Sequence, residues 1–135
     1  MRNRPSDPAY DAALLMEPER TRLIIGAFYY VYNRLRFGLL EALYARALEK
    51  VLTRTGMQVE REYPVPVYFE GERIGFHRMD MLVDGRIVIE IKSTERLAPG
   101  ARRQLRNYLA ITGLSVGLLL HFGPEATFDT VVVRR

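Results

Sequence analysis

A β-hairpin signal in the middle of the chain constrains the fold more than any other feature of the sequence. The dipeptide Asp84-Gly85 separates two runs rich in branched apolar residues, Ile74–Val83 and Ile87–Lys92. Asp-Gly is typical of tight turns between antiparallel strands, because both residues tolerate a positive φ. A helical pattern and the nearly continuous apolar run Ser115–Phe122 follow, and such a run is typical of a strand buried on both faces. The chain is therefore expected to build a sheet that joins an antiparallel hairpin to a strand reached through a helix.

The remaining segments complete a mixed sheet with the element order α-α-β-β-β-α-β-β, which is an α/β (α+β) fold. Apolar residues at helical spacing predict two helices before the hairpin. The helical crossover should place the Ser115–Phe122 strand parallel to a strand of the antiparallel meander, through a right-handed connection. The predicted helices are Glu19–Leu35, Leu39–Arg54 and Pro99–Thr112, and the predicted strands are Met57–Phe69, Ile74–Val83, Ile87–Lys92, Ser115–Phe122 and Thr127–Val133.

The length of 135 residues fits one domain, predicted over residues 18–135. Residues 1–17 contain two prolines and are expected to form a mobile arm, either with one helical turn or packed on a partner subunit. The chain has no cysteine and two histidines, which excludes disulfides and thiolate sites and argues against a classical zinc site. Any metal would sit on carboxylate oxygens, which favours Mg²⁺ or Mn²⁺.

The net charge of +4 biases the chain only slightly towards a nucleic-acid partner. No run of apolar residues is long enough to span a membrane, and the first residues do not resemble a secretory signal. We therefore expect a cytoplasmic protein without a membrane partner.

Charged residues interrupt the apolar strand Val88–Lys92. Period-two alternation places Glu90 and Lys92 on one face of this strand, and Ile89 and Ile91 on the other. Burying charges is costly unless they are paired or bound to a ligand. One interpretation is a Glu–Lys pair at a sheet edge, and the other is a functional site.

The register of the hairpin decides whether Asp80 joins Glu90. A two-residue turn would place Asp80 opposite Ile89 and send the two carboxylates to opposite faces. An odd-length loop, such as Asp84–Arg86, or one bulge would set Asp80 directly across from Glu90. Two ionised carboxylates about 5 Å apart repel each other, and a divalent cation removes that penalty. A functional site here therefore predicts an odd loop or a bulge.

Three sequence motifs lie on successive predicted elements of the chain. Asp80 followed by Glu90-x-Lys92 resembles the catalytic core of the PD-(D/E)XK nuclease superfamily. Gln104-x-x-x-Tyr108 on the next helix is similar to the motif of its RecB-like branch. The segment Gly38–Leu48 resembles the signature helix of the small bacterial GxxExxxER proteins. The resemblance covers residues 21–133, so it leaves only the N-terminal arm outside.

The resemblance implies a restriction-endonuclease-like core with a divalent-metal phosphodiesterase site for Mg²⁺ or Mn²⁺. Asp80, Glu90 and the backbone carbonyl of Ile91 would hold the metal, and Glu41 would join them directly or through water. Such an ion neutralises charge on the phosphate and lowers the pKa of its bound water. Glu41 also has a simpler interpretation, because a carboxylate three residues after Gly38 stabilises a helix N-terminus.

Further residues are expected to act beside the metal. By the same resemblance, Lys92 would orient the attacking water or stabilise charge on the phosphate. Gln104 and Tyr108 share a helix face and would line the site, although Tyr108 can equally be a core aromatic residue. His77 and His121 are expected to have structural or surface roles.

Four arginines are candidate nucleic-acid contacts. Arg78 lies on the strand of Asp80, and Arg102, Arg103 and Arg106 lie on the helix that carries the Gln-x-x-x-Tyr motif. Arg78 can alternatively be the salt-bridge partner of Asp80. The other three can be ordinary solvated charges, because a basic helix face does not by itself require a phosphate backbone.

Two functions follow from these observations. The first is a metal-dependent nuclease that acts on DNA. The second is a catalytically silent nucleic-acid-binding or assembly module that retains the nuclease fold, and departures from the family pattern at Tyr32, Arg36–Gly38 and Ala45 favour it. A homodimer is a further hypothesis, since one small subunit offers a narrow footprint for duplex DNA.

Overall fold

The computed structural model describes residues 7–135, which form four helices and five strands. The predicted mixed α/β (α+β) fold is confirmed, and each predicted element is present with bounds that differ by at most two residues. None of these helices combines the length and the apolar character needed to cross a bilayer. The helices are α1 (Pro8–Met16), α2 (Pro18–Leu35), α3 (Glu41–Arg54) and α4 (Ala101–Thr112), and the strands are β1 (Val59–Phe69), β2 (Glu72–Val83), β3 (Ile87–Lys92), β4 (Val116–Phe122) and β5 (Ala126–Val132).

The five strands form one mixed sheet in the order β1-β2-β3-β4-β5. The first three strands are an antiparallel meander, and α4 then returns the chain so that β4 runs parallel to β3. The predicted parallel pairing through a helical crossover is therefore confirmed. β5 closes the sheet antiparallel to β4. Every residue of β4 is buried, because helices cover both faces of the central strands.

Two hydrophobic cores lie on opposite faces of the sheet. α1, α2 and α3 cover one face, where Met81, Ile89 and Leu118 point. α4 covers the other face, where Val88 and Leu119 pack against its buried leucines. We call these faces the α3 side and the α4 side. Alternate residues of one strand serve different cores, as the period of two requires.

Helix α1 differs from the mobile arm expected there. Asp7 caps its first turn by accepting a hydrogen bond from a backbone N–H at 2.9 Å, and Ala13 is completely buried. The ring centres of Tyr10 and Phe128 of β5 are 5.4 Å apart. Helix α1 is therefore longer than the one helical turn expected there, because packing on β5 stabilises it. Residues 1–6 of the predicted arm lie outside the described residues.

Gly117 marks a close approach between β4 and α4. A Cβ at this position would lie 2.7 Å from Cδ1 of Leu105, which is completely buried. We predict that Gly117→Ala lowers the free energy of unfolding by about 1–3 kcal/mol through overpacking. Gly26→Ala on an exposed position of α2, where nothing lies within 4 Å, should raise it by about 0.5–1 kcal/mol. Urea unfolding measures both changes, and an equally stable Gly117→Ala variant would contradict the tight packing.

Candidate active site

The loop between β2 and β3 has an odd length and sets the register of the hairpin. It contains the three residues Asp84–Arg86, and it pairs Met81 with Ile89. Its first two residues have φ values of 53° and 64°. One step further along this register, Asp80 lies across from Glu90. The odd loop predicted for a functional site is therefore confirmed.

The side chain of Asp84 holds this loop in place. Its carboxylate accepts a hydrogen bond from the backbone N–H of Gln58 at 2.7 Å and one from Nε of Arg20 at 2.7 Å. These bonds tie the loop to α2 and to the segment before β1. They stabilise the left-handed backbone that Asp84 adopts, which is otherwise uncommon outside glycine.

Two carboxylates complete the hydrogen bonding where β2 and β3 separate. The N–H of Asp80 donates to Oε2 of Glu90 at 3.0 Å, and the N–H of Ile91 donates to Oδ2 of Asp80 at 2.6 Å. Each side chain thus satisfies a backbone donor of the neighbouring strand. Each bond uses one carboxylate oxygen, which leaves the second oxygen for another partner.

The carboxylate pair lies in an electrostatically unfavourable environment. Glu90 is 3% exposed and Asp80 is half-buried. Burial, followed by repulsion from Asp80, raises the pKa of Glu90 to about 8, and Glu41 adds to this repulsion. Burial also raises the pKa of Asp80, although its bond to Ile91 and the charge of Lys92 oppose the increase. A nearby cation would relieve both carboxyl groups.

A cavity of about 290 Å³ opens beside this pair on the α3 side. Glu41, the first residue of α3, lines it together with Asp80 and Ile91. The structure therefore brings the predicted metal ligands to one place, with Glu90 next to Asp80. Glu41 also fits its simpler interpretation, since a carboxylate in the first turn interacts favourably with the helix dipole.

β1 contributes two residues that the sequence analysis missed, Arg61 and Glu62. Both line the cavity, and Arg61 lowers the pKa of Asp80 while Glu62 raises it. Glu62 occupies the β1 position across from Asp80 and has a φ of 51°. Before this residue Val59 packs on the α3-side core, whereas after it Val65 lies in the α4-side core. The sequence does carry a signal of this irregularity, because a run of charged residues precedes two prolines in the same strand. Strand irregularities concentrate near active sites.

The donor atoms fit a hard divalent cation. Within residues 7–135, no group of three or more His, Asp or Glu side chains is already arranged to hold a metal ion. The surroundings are nevertheless rich in carboxylate oxygens, the ligands that Mg²⁺ and Mn²⁺ prefer. Four carboxyl groups meet two cationic side chains at this site: Glu41, Glu62, Asp80 and Glu90 against Arg61 and Lys92.

The backbone of Ile91 supplies a further oxygen. Its N–H points towards Asp80, and in an extended strand the C=O of a residue points to the same side as its N–H. The β2–β3 pairing ends two residues before Ile91, at Met81 and Ile89. The carbonyl of Ile91 is therefore directed to the gap between the strands, beside the carboxylate pair.

Tyr108 and Gln104 lie near the Asp80–Glu90 pair on the α4 side. The Tyr108 hydroxyl accepts a hydrogen bond from Nε2 of Gln104 at 3.2 Å and donates to the carbonyl of Arg78 at 3.3 Å. Burial, followed by the charges of Glu90 and Asp80, raises the pKa of Tyr108 to about 12. The hydroxyl therefore remains protonated at neutral pH, and it is held against β2.

The predicted basic contacts occupy different surroundings. Arg102 lies 3.9 Å from the carboxylate of Asp129 on β5, at the opposite end of the sheet from β1. Arg103 and Arg106 are exposed on α4. On the predicted basic helix face, Arg103 and Arg106 are therefore exposed, whereas Arg102 is partly buried.

Arg78 is exposed, and its guanidinium lies 5.5 Å from the ring centre of Phe76. The positive charges that act on Asp80 belong to Lys92 and Arg61. The alternative in which Arg78 forms the salt bridge of Asp80 is therefore not the arrangement in the structure.

The two histidines lie on opposite sides of the site. A ring nitrogen of the buried His121 lies 2.7 Å from the carbonyl of Thr94, which fixes the segment just after Lys92. His77 is exposed, and its ring meets Tyr108 edge-on with centres 6.0 Å apart. The structural role expected for His121 agrees with this contact.

The raised pKa values predict how stability depends on pH. Between the ordinary value of 4.5 and about 8, Glu90 in the folded protein holds a proton that the unfolded chain has lost. The folded state therefore binds more protons, and the free energy of unfolding falls as pH rises through this range. Each pKa unit corresponds to about 1.4 kcal/mol, so we expect the metal-free protein to lose a few kcal/mol.

Glu90→Gln keeps an oxygen for the N–H of Asp80 and should remove most of this slope. The exposed Glu19→Gln on α2 is the matched control and should retain it. Urea unfolding in a chelator across this pH range provides the measurement. A slope that persists in the Glu90→Gln variant would contradict the unfavourable burial of this carboxylate.

The fold of this chain resembles that of a solved protein structure. No curated protein matches the chain. The solved structure described as "Crystal structure of SSO0001" aligns with a TM-score of 0.54 and 21% identity, over 92% of this chain and 63% of that one. This likeness shows a common fold, and the chain spans less than two thirds of the length of that protein. Residues 18–134 match the family PDDEXK_3 of the PD-(D/E)XK nucleases. The chain therefore belongs to the PD-(D/E)XK nuclease superfamily.

Proposed function

We propose that this protein is a Mg²⁺- or Mn²⁺-dependent nuclease that hydrolyses phosphodiester bonds in DNA. The observation that carries the proposal is the pairing of the half-buried Asp80 with the buried Glu90 at the separation of β2 and β3. Lys92 acts on both carboxylates, and the cavity lined by Glu41 opens beside them. Membership of the superfamily implies a phosphodiesterase, and this pair is where such chemistry would take place.

The metal would be held by Asp80, Glu90 and the carbonyl of Ile91, with Glu41 joining directly or through water. When bound, the cation neutralises charge on the phosphate and lowers the pKa of a bound water. The protein's own contribution is to hold these oxygens in position before the substrate arrives. The hydrogen bonds from the backbone of β2 and β3 fix the two central carboxylates.

Other side chains would act on the substrate. Lys92 would orient the attacking water or stabilise negative charge on the phosphate, an effect that strengthens where water is excluded. Gln104 and Tyr108 would line the α4 side of the site, where their mutual hydrogen bond fixes both. Arg78, Arg103 and Arg106 are exposed and stay candidate contacts to the nucleic-acid backbone.

The finer classification is part of the proposal. Gln104-x-x-x-Tyr108 supports the RecB-like branch, and Gly38–Leu48 supports membership of the GxxExxxER proteins. A cytoplasmic location and a homodimer are predictions that rest on the sequence alone.

A catalytically silent nucleic-acid-binding or assembly module is the second candidate. Ala45, which stands where the related proteins usually carry a glutamate, lines the cavity and supplies no ligand. In addition, the described residues 7–135 hold no preassembled set of three metal-ligating side chains. Such a module would bind DNA with a salt dependence that Glu90→Gln does not change.

Replacement of Asp80 separates the two candidates. Asp80→Asn keeps an oxygen for the N–H of Ile91 but removes the charge, so we expect Mn²⁺-stimulated cleavage of DNA to fall roughly 100-fold or more. The exposed Asp11→Asn on α1 is the matched control and should cleave normally. Cleavage of single- and double-stranded oligonucleotides, with and without chelator, gives the rates.

Calorimetry with Mn²⁺ provides a readout that does not depend on cleavage. Binding should be lost in Glu90→Gln and retained in Glu19→Gln. Cleavage that survives Asp80→Asn would refute the assignment. Salt-sensitive DNA binding without any metal-stimulated cleavage would establish the silent module instead.

A further inference from the structure

We infer that a pocket on the α4 side of the site binds an unpaired nucleobase of the substrate, an inference that rests on the proposed nuclease function. The pocket is a cavity of about 370 Å³ between α4 and the strands β1 and β2. Besides Ala110, two larger apolar residues, two side-chain amides and two aromatic rings line it. These residues are Val67, Ile111, Gln104, Asn107, His77 and Tyr108.

The lining of this pocket carries no Asp, Glu, Lys or Arg side chain among the described residues. It therefore differs sharply from the cavity on the α3 side, which Glu41, Arg61 and Asp80 line. A neutral lining does not attract a phosphate group. A flat neutral ring with hydrogen-bonding groups at its edge fits it better, and nucleobases are such rings.

The apolar residues and the rings offer stacking surfaces. His77 is exposed and stands edge-on to Tyr108, with an interplanar angle of 69°. Ile111 is 46% exposed, so part of its apolar side chain is accessible to a ligand. Proteins commonly bind unstacked bases between aromatic and apolar side chains. Val67 from β1 forms the remaining apolar wall.

The two amides offer hydrogen bonds to the edge of a base. Gln104 uses its Nε2 to donate to Tyr108, which leaves its carbonyl oxygen as an acceptor. Asn107 is exposed and lies one helical turn further along α4. An amide can bond an adenine at two atoms of one edge, so an adenine nucleotide is the appropriate first probe.

The pocket adjoins the proposed cleavage site. Tyr108 is a wall of the pocket, and the charges of Glu90 and Asp80 act on it. His77 precedes Asp80 by three residues, which corresponds to about 10 Å along a strand. A base in the pocket and a phosphate at the carboxylates would thus belong to the same or neighbouring nucleotides. A base that is stacked and paired in a duplex would not reach the pocket, so the substrate is single-stranded, frayed or locally opened.

The test uses the two histidines as NMR reporters in the metal-free protein at neutral pH. His77 lies in the pocket and His121 is buried elsewhere, and the chain contains no other histidine. Titration with deoxyadenosine 5′-monophosphate should shift the ring signals of His77 saturably and leave those of His121 unchanged. Titration with 2-deoxyribose 5-phosphate, which lacks the base, should leave both unchanged.

Variants of the pocket sharpen this test. Asn107→Ala should weaken the nucleotide roughly fivefold to tenfold, as expected for a lost hydrogen bond. Ile111→Arg, which introduces a long charged side chain at an exposed position, should abolish the shift of His77. Asn33→Ala on the exposed face of α2 is the matched control and should bind normally.

Two results would overturn the inference: equal shifts with the base-free sugar phosphate, or no shift of His77 with the nucleotide. Neither result depends on cleavage. If Asp80-dependent cleavage persists while the titration fails, only the base pocket is lost. If cleavage survives Asp80→Asn while the titration succeeds, the pocket stands and the proposed cleavage site is wrong.

Discussion

The exchange of hydrogen bonds between Asp80 and β3 is the interaction on which the rest of the site depends. Where the pairing of β2 and β3 ends, side-chain carboxylates and not backbone carbonyls accept from the N–H groups of Asp80 and Ile91. Glu90 accepts from one and Asp80 accepts from the other. An unsatisfied buried donor costs about 1–3 kcal/mol, so both side chains contribute to the fold as well as to the proposed chemistry.

This structural role does not account for the charges. An amide or a hydroxyl could accept the same backbone hydrogen bonds without repulsion. The protein instead places two carboxyl groups side by side where burial raises the pKa of both, and Glu41 adds a third. Such local conflict is typical of functional sites, where stability is sacrificed for chemistry. This crowding of carboxyl groups is therefore the physical reason to expect a divalent cation.

The sequence predicted the elements better than the register that builds the site. The helices and strands after α1 have strong apolar periodicity, so local patterns were sufficient. The Asp-Gly dipeptide is compatible with loops of two or three residues, and the bonds of Asp84 to Arg20 and to the segment before β1 stabilise the observed loop. Helix α1 was missed because its stability depends on a distant contact with Phe128. The roles of Arg61 and Glu62 were missed because period-two alternation assumes a regular strand, and the left-handed backbone of Glu62 interrupts it.

The separation of β2 and β3 also determines how a substrate can approach. In a continuous sheet, the two faces are isolated from each other by the hydrogen-bonded backbone. Here the pairing of β2 and β3 ends, so Asp80 lies in a gap between the two strands. Glu41 lies beside this gap on the α3 side, and Tyr108 lies near it on the α4 side. Charged residues line the cavity on the α3 side, and neutral residues line the pocket on the α4 side. A nucleotide has the same division between a charged phosphate and a neutral base. A strand spanning the gap would therefore place each part against the surface that matches it.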